Sequence, residues 1–342
     1  MRCTKSTIFG LLLIAVSAFA ARAEVNVVAS IKPVHSLVAA VMAGVGKPDL
    51  IIEGSGSPHT YALKPSQAAM LERADVVFWI GHELEAFLAK PLKTIAANAK
   101  SVELIETDDL VKLDLREGGP FDAHAHDDHA AHKTRRKKHH DHHRVKKSHH
   151  NHGHGHGGEK KARRDHDRDA FNPHVWLDPV NAKAMTRNIK DALTAVDPAN
   201  AARYEANAKA VMARLTDLTA DITAQLKPFR AKGFIVFHDA YQNFESRFGL
   251  KASGSITVSP EVRVGVRRIR ALRSKIRELR ATCVFSEPQF EPKIVATVVE
   301  GTPAKSGVLD PLGAALKGGP ELYFKLLRNM ATSFAACFSP SD

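Results

Sequence analysis

The chain has 342 residues, 44% hydrophobic and 25% charged, with 49 Lys/Arg against 37 Asp/Glu and a formal net charge of +12. An excess of positive charge can mark a nucleic-acid binder, but thirteen of the basic residues lie in one stretch, residues 122–169, interleaved with histidine and without aromatic partners. That class is set aside. The apolar run at residues 8–20 is too short to span a bilayer well.

That run belongs to a leader. Arg2 and Lys5 precede it and Ala21-Arg22-Ala23 follows it, the charged, apolar and A-x-A parts of a secretory signal. Cleavage is expected after Ala23, giving a soluble, exported chain of net charge +9 once Arg2, Lys5 and Arg22 are gone. Cys3 leaves with the leader. Cys283 and Cys337 remain, and an even pair in an oxidising compartment suggests one disulfide tying the last helix to a strand. Two buried free thiols are the alternative.

Strand-like and helix-like segments then alternate. Residues 25–30 (VNVVAS), 50–53 and 75–80 (DVVFWI) are strand-like, as are residues 102–105. Residues 33–43 and 64–73 are helical, and so are residues 83–97, with Pro91 expected to kink or split that helix. This alternation argues for parallel βαβ sheets. Past the histidine-rich stretch, residues 181–195 read as a helix. Residues 199–226 continue without Gly or Pro, with Asp197 as expected N-cap and Pro198 at the first helical position. So long a helix can act as a rigid connector. The alternation resumes with strands at 234–237, 252–256, 283–285 and 307–309 and helices at 242–248, 262–280, 292–300 and 322–337. The expected organisation is a leader (1–23), an α/β lobe (24–197) with a disordered insertion (122–169), a connecting helix (198–228) and a second α/β lobe (229–342). About 270 residues outside leader and insertion suffice for two modest domains.

Fourteen of the nineteen histidines fall within residues 122–169. His124, His126, His129, His132, His139, His140, His142, His143, His149, His150, His152, His154 and His156 are its candidate accessory metal ligands. Neutral imidazole binds metals near neutral pH and suits zinc, copper, nickel and iron. The stretch has almost no large apolar residues, so it cannot offset the entropy of ordering itself.

His59, His174 and His238 stand alone at punctuated ends of apolar runs, in GSGSPHTY, FNPHVWLDP and FIVFHDAYQ. Ligands of open α/β sheets gather beyond the carboxyl ends of strands, so three such histidines could share one cleft. Asp310, in SGVLDPLG, sits similarly and could add a carboxylate. Three imidazoles plus an oxygen match a tetrahedral zinc site. Spacing alone leaves a surface or capping role open for each, and that role is assigned to His35 and His82. Asp178 is read as the cap of the helix after Pro179. Asp239 and Glu245 are either solvated surface groups or partners that orient His238.

Together these segments resemble the metal-binding proteins of cluster A-I ABC importers, nearest to their zinc branch. SIKPVHSLVAAV, EGSGSPHTYALKPSQ, WIGHELEAFL, NPHVWLDP, FHDAYQNFESRFGL, VSPEVRVG, FSEPQF and LDPLG occur in family order from about residue 25 to 338. The resemblance implies two α/β lobes of parallel sheet joined by one long rigid helix, with Zn2+ in the cleft between them. It places the metal ligands at His59, His174, His238 and Asp310, and a cysteine pair at Cys283 and Cys337. Manganese relatives tend to carry Glu where this chain has His238. Some zinc relatives carry a ligating Glu just before the first histidine, where this chain has Pro58, so the fourth ligand is Asp310 or water.

The resemblance also implies the function: capture of Zn2+ in the periplasm and its delivery to an inner-membrane ABC permease, whose ATPase is a separate chain, since this one lacks G-x-x-x-x-G-K-[ST]. The chain is expected to be a monomer, neither an enzyme nor a nucleic-acid binder, without stable membrane insertion. Its histidine-rich stretch would hold extra zinc weakly. The alternatives are a manganese or broad-specificity importer component, a nickel store, or a zinc hydrolase with Glu245 as general base.

Overall fold

The computed structural model describes residues 25–116, 121, 171–257, 265–278, 281–290 and 293–340. The expected leader and the histidine-rich stretch lie outside them. The described elements, in chain order, are β1 (Val27–Ala29), α1 (Lys32–Val41), β2 (Asp49–Leu50), α2 (Pro65–Glu72), β3 (Val76–Trp79), α3 (Ala86–Thr94), β4 (Lys100–Glu103), α4 (Pro179–Val196), α5 (Ala201–Leu226), β5 (Phe234–Val236), α6 (Gln242–Phe248), β6 (Ala252–Ser255), α7 (Val266–Glu278), β7 (Cys283–Ser286), α8 (Lys293–Val299), β8 (Lys305–Val308) and α9 (Leu322–Phe338).

They build two four-stranded sheets, in the orders β2-β1-β3-β4 and β6-β5-β7-β8, in which every pairing is parallel. The two sheets share one topology, and the chain order reverses in each between the first and third strands (β1/β3 and β5/β7). Those are the two places where an open α/β sheet parts to form a crevice. The expected alternation and parallel sheets are borne out.

α5 joins the halves. Tyr204, Ala208, Val211, Leu215, Leu218, Ile222 and Leu226 form its buried row, spaced three and four apart, so one apolar stripe runs its whole length. Its 26 residues span roughly 39 Å at the usual rise. It is packed against α4, α1 and α9, and one continuous core runs from β1 through α5 to α9. A second, smaller core lies under α7 and α8, built on Ile235, Ile256, Leu272, Ile276 and Val284. The expected start of the long helix is corrected. Residues Pro198–Asn200 form a separate 3-10 turn. Asp197 caps no helical N–H with its side chain; its Oδ2 accepts from Asn200 Nδ2 (2.6 Å) and the Tyr204 hydroxyl (2.8 Å).

α3 continues through Pro91 as one run rather than splitting. Its expected first turn is replaced because Glu85 turns its side chain back onto the Ile80 and Gly81 N–H groups. Cys283 and Cys337 form a disulfide that ties β7 to α9, their Cα atoms 6.1 Å apart. Beside it, Gly307 of β8 lies against the Phe285 ring, where an added Cβ would come within 2.6 Å, so only glycine fits. Among the described residues no helix is long and apolar enough to cross a membrane.

Candidate metal centre

His59, His174 and His238 converge: one ring nitrogen from each lies within 4.8 Å of the other two. His174 is the middle member, its Nε2 lying 3.3 Å from His59 Nε2 and 3.3 Å from His238 Nε2. Zn–N bonds of 2.0–2.1 Å in a tetrahedron give N···N edges of about 3.3–3.4 Å. Both edges have the length a shared zinc ion requires. The gap among the rings is about 10 Å3, walled by Pro58, Trp176, Glu287, Phe290, Pro311 and Leu312. That is room for one water or ion, and far below the size of an organic ligand site.

Each histidine is held from a different element. His59 rides the loop after β2, which Gln67 of α2 pins by donating Nε2 to Ile51 O (2.6 Å) and the Tyr61 hydroxyl (2.8 Å). His174 opens the short 3-10 turn Val175–Leu177, with its ring against the fully buried Trp176 (centroids 5.2 Å). His238 follows β5 and sits where the second sheet parts.

Two ring tautomers follow from the surrounding bonds. Asn172 donates Nδ2 to Asp239 O (2.7 Å) and Gln242 Oε1 (3.1 Å). This fixes its amide, so its Oδ1 accepts from the backbone N–H (3.1 Å) and Nδ1–H (2.8 Å) of His174. Glu287, immediately after β7, accepts from the backbone N–H (3.3 Å) and Nδ1–H (2.7 Å) of His238 with Oε1. With Nδ1–H given to Asn172 on one ring and to Glu287 on the other, Nε2 is the nitrogen each ring turns toward the shared gap. Such partners fix ring orientation and raise ligand basicity. The sequence reading missed Asn172 and Glu287. Glu287 follows an apolar strand as His238 does, and the same rule applied to FSEPQF would have found it.

Asp310 stands outside the three-ring group. Its Oδ1 accepts from the N–H groups of Leu312 (3.1 Å) and Gly313 (2.9 Å) and from Gln289 Nε2 (3.0 Å), and its Oδ2 from Ala314 N–H (2.6 Å). From the other sheet's side, Lys32 Nζ donates to the carbonyls of Gly313, Ala314 and Leu316 at 2.7–3.1 Å. The carboxylate and the lysine close this loop from both ends of its peptide dipoles.

Asp239 and Glu245 are not solvated surface groups. Both are buried and paired with Arg116. Burial raises the Glu245 carboxyl, while Arg116 and the Ala252 N–H pull it down. Glu245 is therefore committed to Arg116 and the Ala252 N–H. Asp178 caps α4 as expected, accepting from Val180 N–H (2.8 Å), and is also gripped by Arg247 at 2.8 Å through both oxygens.

His35 is half-buried, with Nε2 3.0 Å from Pro48 O, and desolvation lowers its pKa. A second cluster, His82, Glu83 and Glu103, is mostly exposed. Its carboxylates lie at opposite ring nitrogens, Glu83 at Nε2 (3.2 Å) and Glu103 at Nδ1 (3.5 Å). The accessory histidines of residues 122–169 lie outside the described residues.

A family model described as "Zinc-uptake complex component A periplasmic" matches residues 27–337. The high-affinity zinc uptake system protein ZnuA of Brucella suis biovar 1 (strain 1330) is 51% identical over 314 residues, 92% of each chain. Its namesake from Yersinia pestis is 34% identical over 315 residues, again 92% of each. Among solved structures, a crystal structure of ZnuA aligns with TM-score 0.71 at 23% identity, over 93% of this chain and all of that one. A mutant of the laminin-binding adhesin Lmb of Streptococcus agalactiae aligns with TM-score 0.69 at 24% identity, over 92% of this chain and all of that one. At these identities the two structures bear out the fold.

Proposed function

This chain belongs to the ZnuA family of periplasmic zinc-uptake components, and from that membership we propose that it captures one Zn2+ among His59, His174 and His238 and surrenders it to the permease of an ABC importer. The carrying observation is the pair of 3.3 Å Nε2···Nε2 edges at His174, each backed by an Nδ1–H bond on the other side of the ring. Zinc is the cargo. Water is the fourth ligand in this reading, because Asp310 stands outside the three-ring group and both its oxygens are engaged by its own loop.

A transport role rather than catalysis is supported by the small gap between the rings and by the commitment of Glu245 to Arg116 and Ala252. Neutral imidazoles release no charge to the ion, so the bound site keeps the ion's positive charge and does not lock it in with carboxylates. Release at the permease then needs only separation of the rings. The chain acts as a monomer after cleavage behind Ala23, and the histidine-rich stretch holds further zinc more weakly. Zinc K-edge X-ray absorption on the protein loaded with one equivalent tests the ligand set. Three imidazole nitrogens and one oxygen near 2.0–2.1 Å are expected. Loss of a carboxylate oxygen from that spectrum in Asp310→Asn would instead make Asp310 the fourth ligand.

A further inference from the structure

Arg116 belongs to the chain of the first half, yet its guanidinium hydrogen-bonds to two carboxylates of the second. Its Nε and Nη2 donate to the two oxygens of Asp239, and its Nη1 and Nη2 to those of Glu245, at 2.8–3.0 Å for three of the four bonds. The guanidinium is mostly buried and the two carboxylates almost wholly so, and its flat face lies 4.1 Å from the Phe121 ring centroid. Two forked pairs on one guanidinium use the bidentate geometry that only arginine offers.

The position of these carboxylates gives the clamp its meaning. Asp239 directly follows His238. Glu245, one turn along α6, also accepts from Ala252 N–H at the start of β6 (2.8 Å). The backbone of Arg116 is itself tied to the segment bearing His174, through the Asp114–Phe171 bridge and the bond from Asn172 N–H to Leu113 O (2.8 Å). Gln242 Nε2 adds a bond to Asp114 O (2.9 Å). A short rigid path therefore runs from His174 through residues 113–116 to the turn that carries His238.

We propose that Arg116 is a positioning residue for the metal site: by holding the His238–Asp239 turn against the segment of His174, it keeps the two Nε2 atoms one tetrahedral edge apart and so sets how long zinc is retained. This rests on the three-histidine reading above. Arg116 touches no metal; it acts through His238.

The test measures two quantities on the full-length processed protein: the rate at which a chelator strips bound zinc, and the visible ligand-field spectrum of the cobalt-substituted protein. Arg116→Ala is expected to release zinc about tenfold faster or more, as loss of an orienting partner does, and to shift the cobalt band. Arg116→Lys keeps the charge but not the double fork, and should recover part of both. Arg247→Ala is the comparison. It removes another charged contact between the halves, to Asp178, and should lower the melting temperature while leaving the cobalt band in place.

If Arg116→Ala does not fold, Arg116→Met with Asp239→Asn and Glu245→Gln leaves no buried charge unpaired, and the same two readouts decide. An Arg116 variant that is folded, destabilised, and unchanged in release rate and cobalt spectrum overturns the proposal. His238→Ala separates the two levels. If it too leaves both signals unchanged, the three-histidine reading falls along with the clamp; if it abolishes them while the Arg116 variants do nothing, only the clamp falls.

Discussion

The two sheets have the same strand order but use their crevices in opposite ways. In the first, the crevice beyond β1 and β3 is plugged by the fully buried Glu85, whose Oε2 accepts from the Ile80 and Gly81 N–H groups. In the second, the crevice beyond β5 and β7 presents His238, backed by Glu287. Both crevices hold a carboxylate that accepts hydrogen bonds. In one it accepts from backbone N–H groups at the end of β3 and finishes a turn; in the other it binds an imidazole, which can then bind something else. Topology supplies the place, and the acceptor atoms left over decide whether the place is a site.

The largest effect is expected at the ring that both edges share. His174→Ala should weaken zinc binding by more than about 100-fold, beyond the cost of losing an orienting partner, as read by competition with a chelator. Retained affinity would mean that the ion sits elsewhere.

Next comes the plugged crevice. Burial pushes the Glu85 carboxyl up to about 7 from 4.5, opposed by bonds from Ser30, Gly81 and Ile80 and aided by nearby Glu103. The folded protein then holds a proton that the unfolded chain releases, so stability falls as pH rises from about 4.5 to about 7. The full loss, about 3 kcal/mol, is in place above that window. Glu85→Gln should be more stable than the parent at pH 8 by up to about that amount and nearly equal to it at pH 4, with zinc affinity unchanged. Parallel stability curves from urea unfolding would refute the plug.

The second crevice predicts the reverse pattern. Glu287→Gln weakens the acceptor of the His238 Nδ1–H bond and should cost about 10–100-fold in zinc affinity. The smallest effect is expected at Asp310. Asp310→Asn should leave zinc affinity within about threefold while lowering stability by about 1 kcal/mol, the worth of a typical hydrogen bond lost from its loop. A large affinity loss there would move Asp310 into the coordination sphere.

Much of this was legible without coordinates. Alternating β-branched runs and amphipathic segments give parallel sheets, and lone histidines at the carboxyl ends of apolar runs gave the three rings that converge. Asp310 met the same positional rule, yet its context, Asp-Pro-Leu-Gly, is also a turn signature in which the carboxylate bonds its own backbone. The orienting partners were hidden for a different reason. Glu287 lies 49 residues from His238, and Arg116 lies 123 and 129 residues from its two carboxylates. Pairings at such separations depend on how the strands and lobes are placed, which no local pattern carries. The long helix was found, but not its first turn, because Asp197 had a better partner in Tyr204 than a helical N–H.

The central claim is that the tight zinc lies among the three rings and not in the histidine-rich stretch. A zinc titration at neutral pH, in competition with a chelator, tests it on the processed chain, on that chain without residues 122–169, and on the shortened chain carrying His59→Ala, His174→Ala and His238→Ala. One tight equivalent that survives the deletion and vanishes with the three alanines is the predicted result. A tight equivalent that departs with residues 122–169, leaving the three rings without measurable zinc, would contradict it.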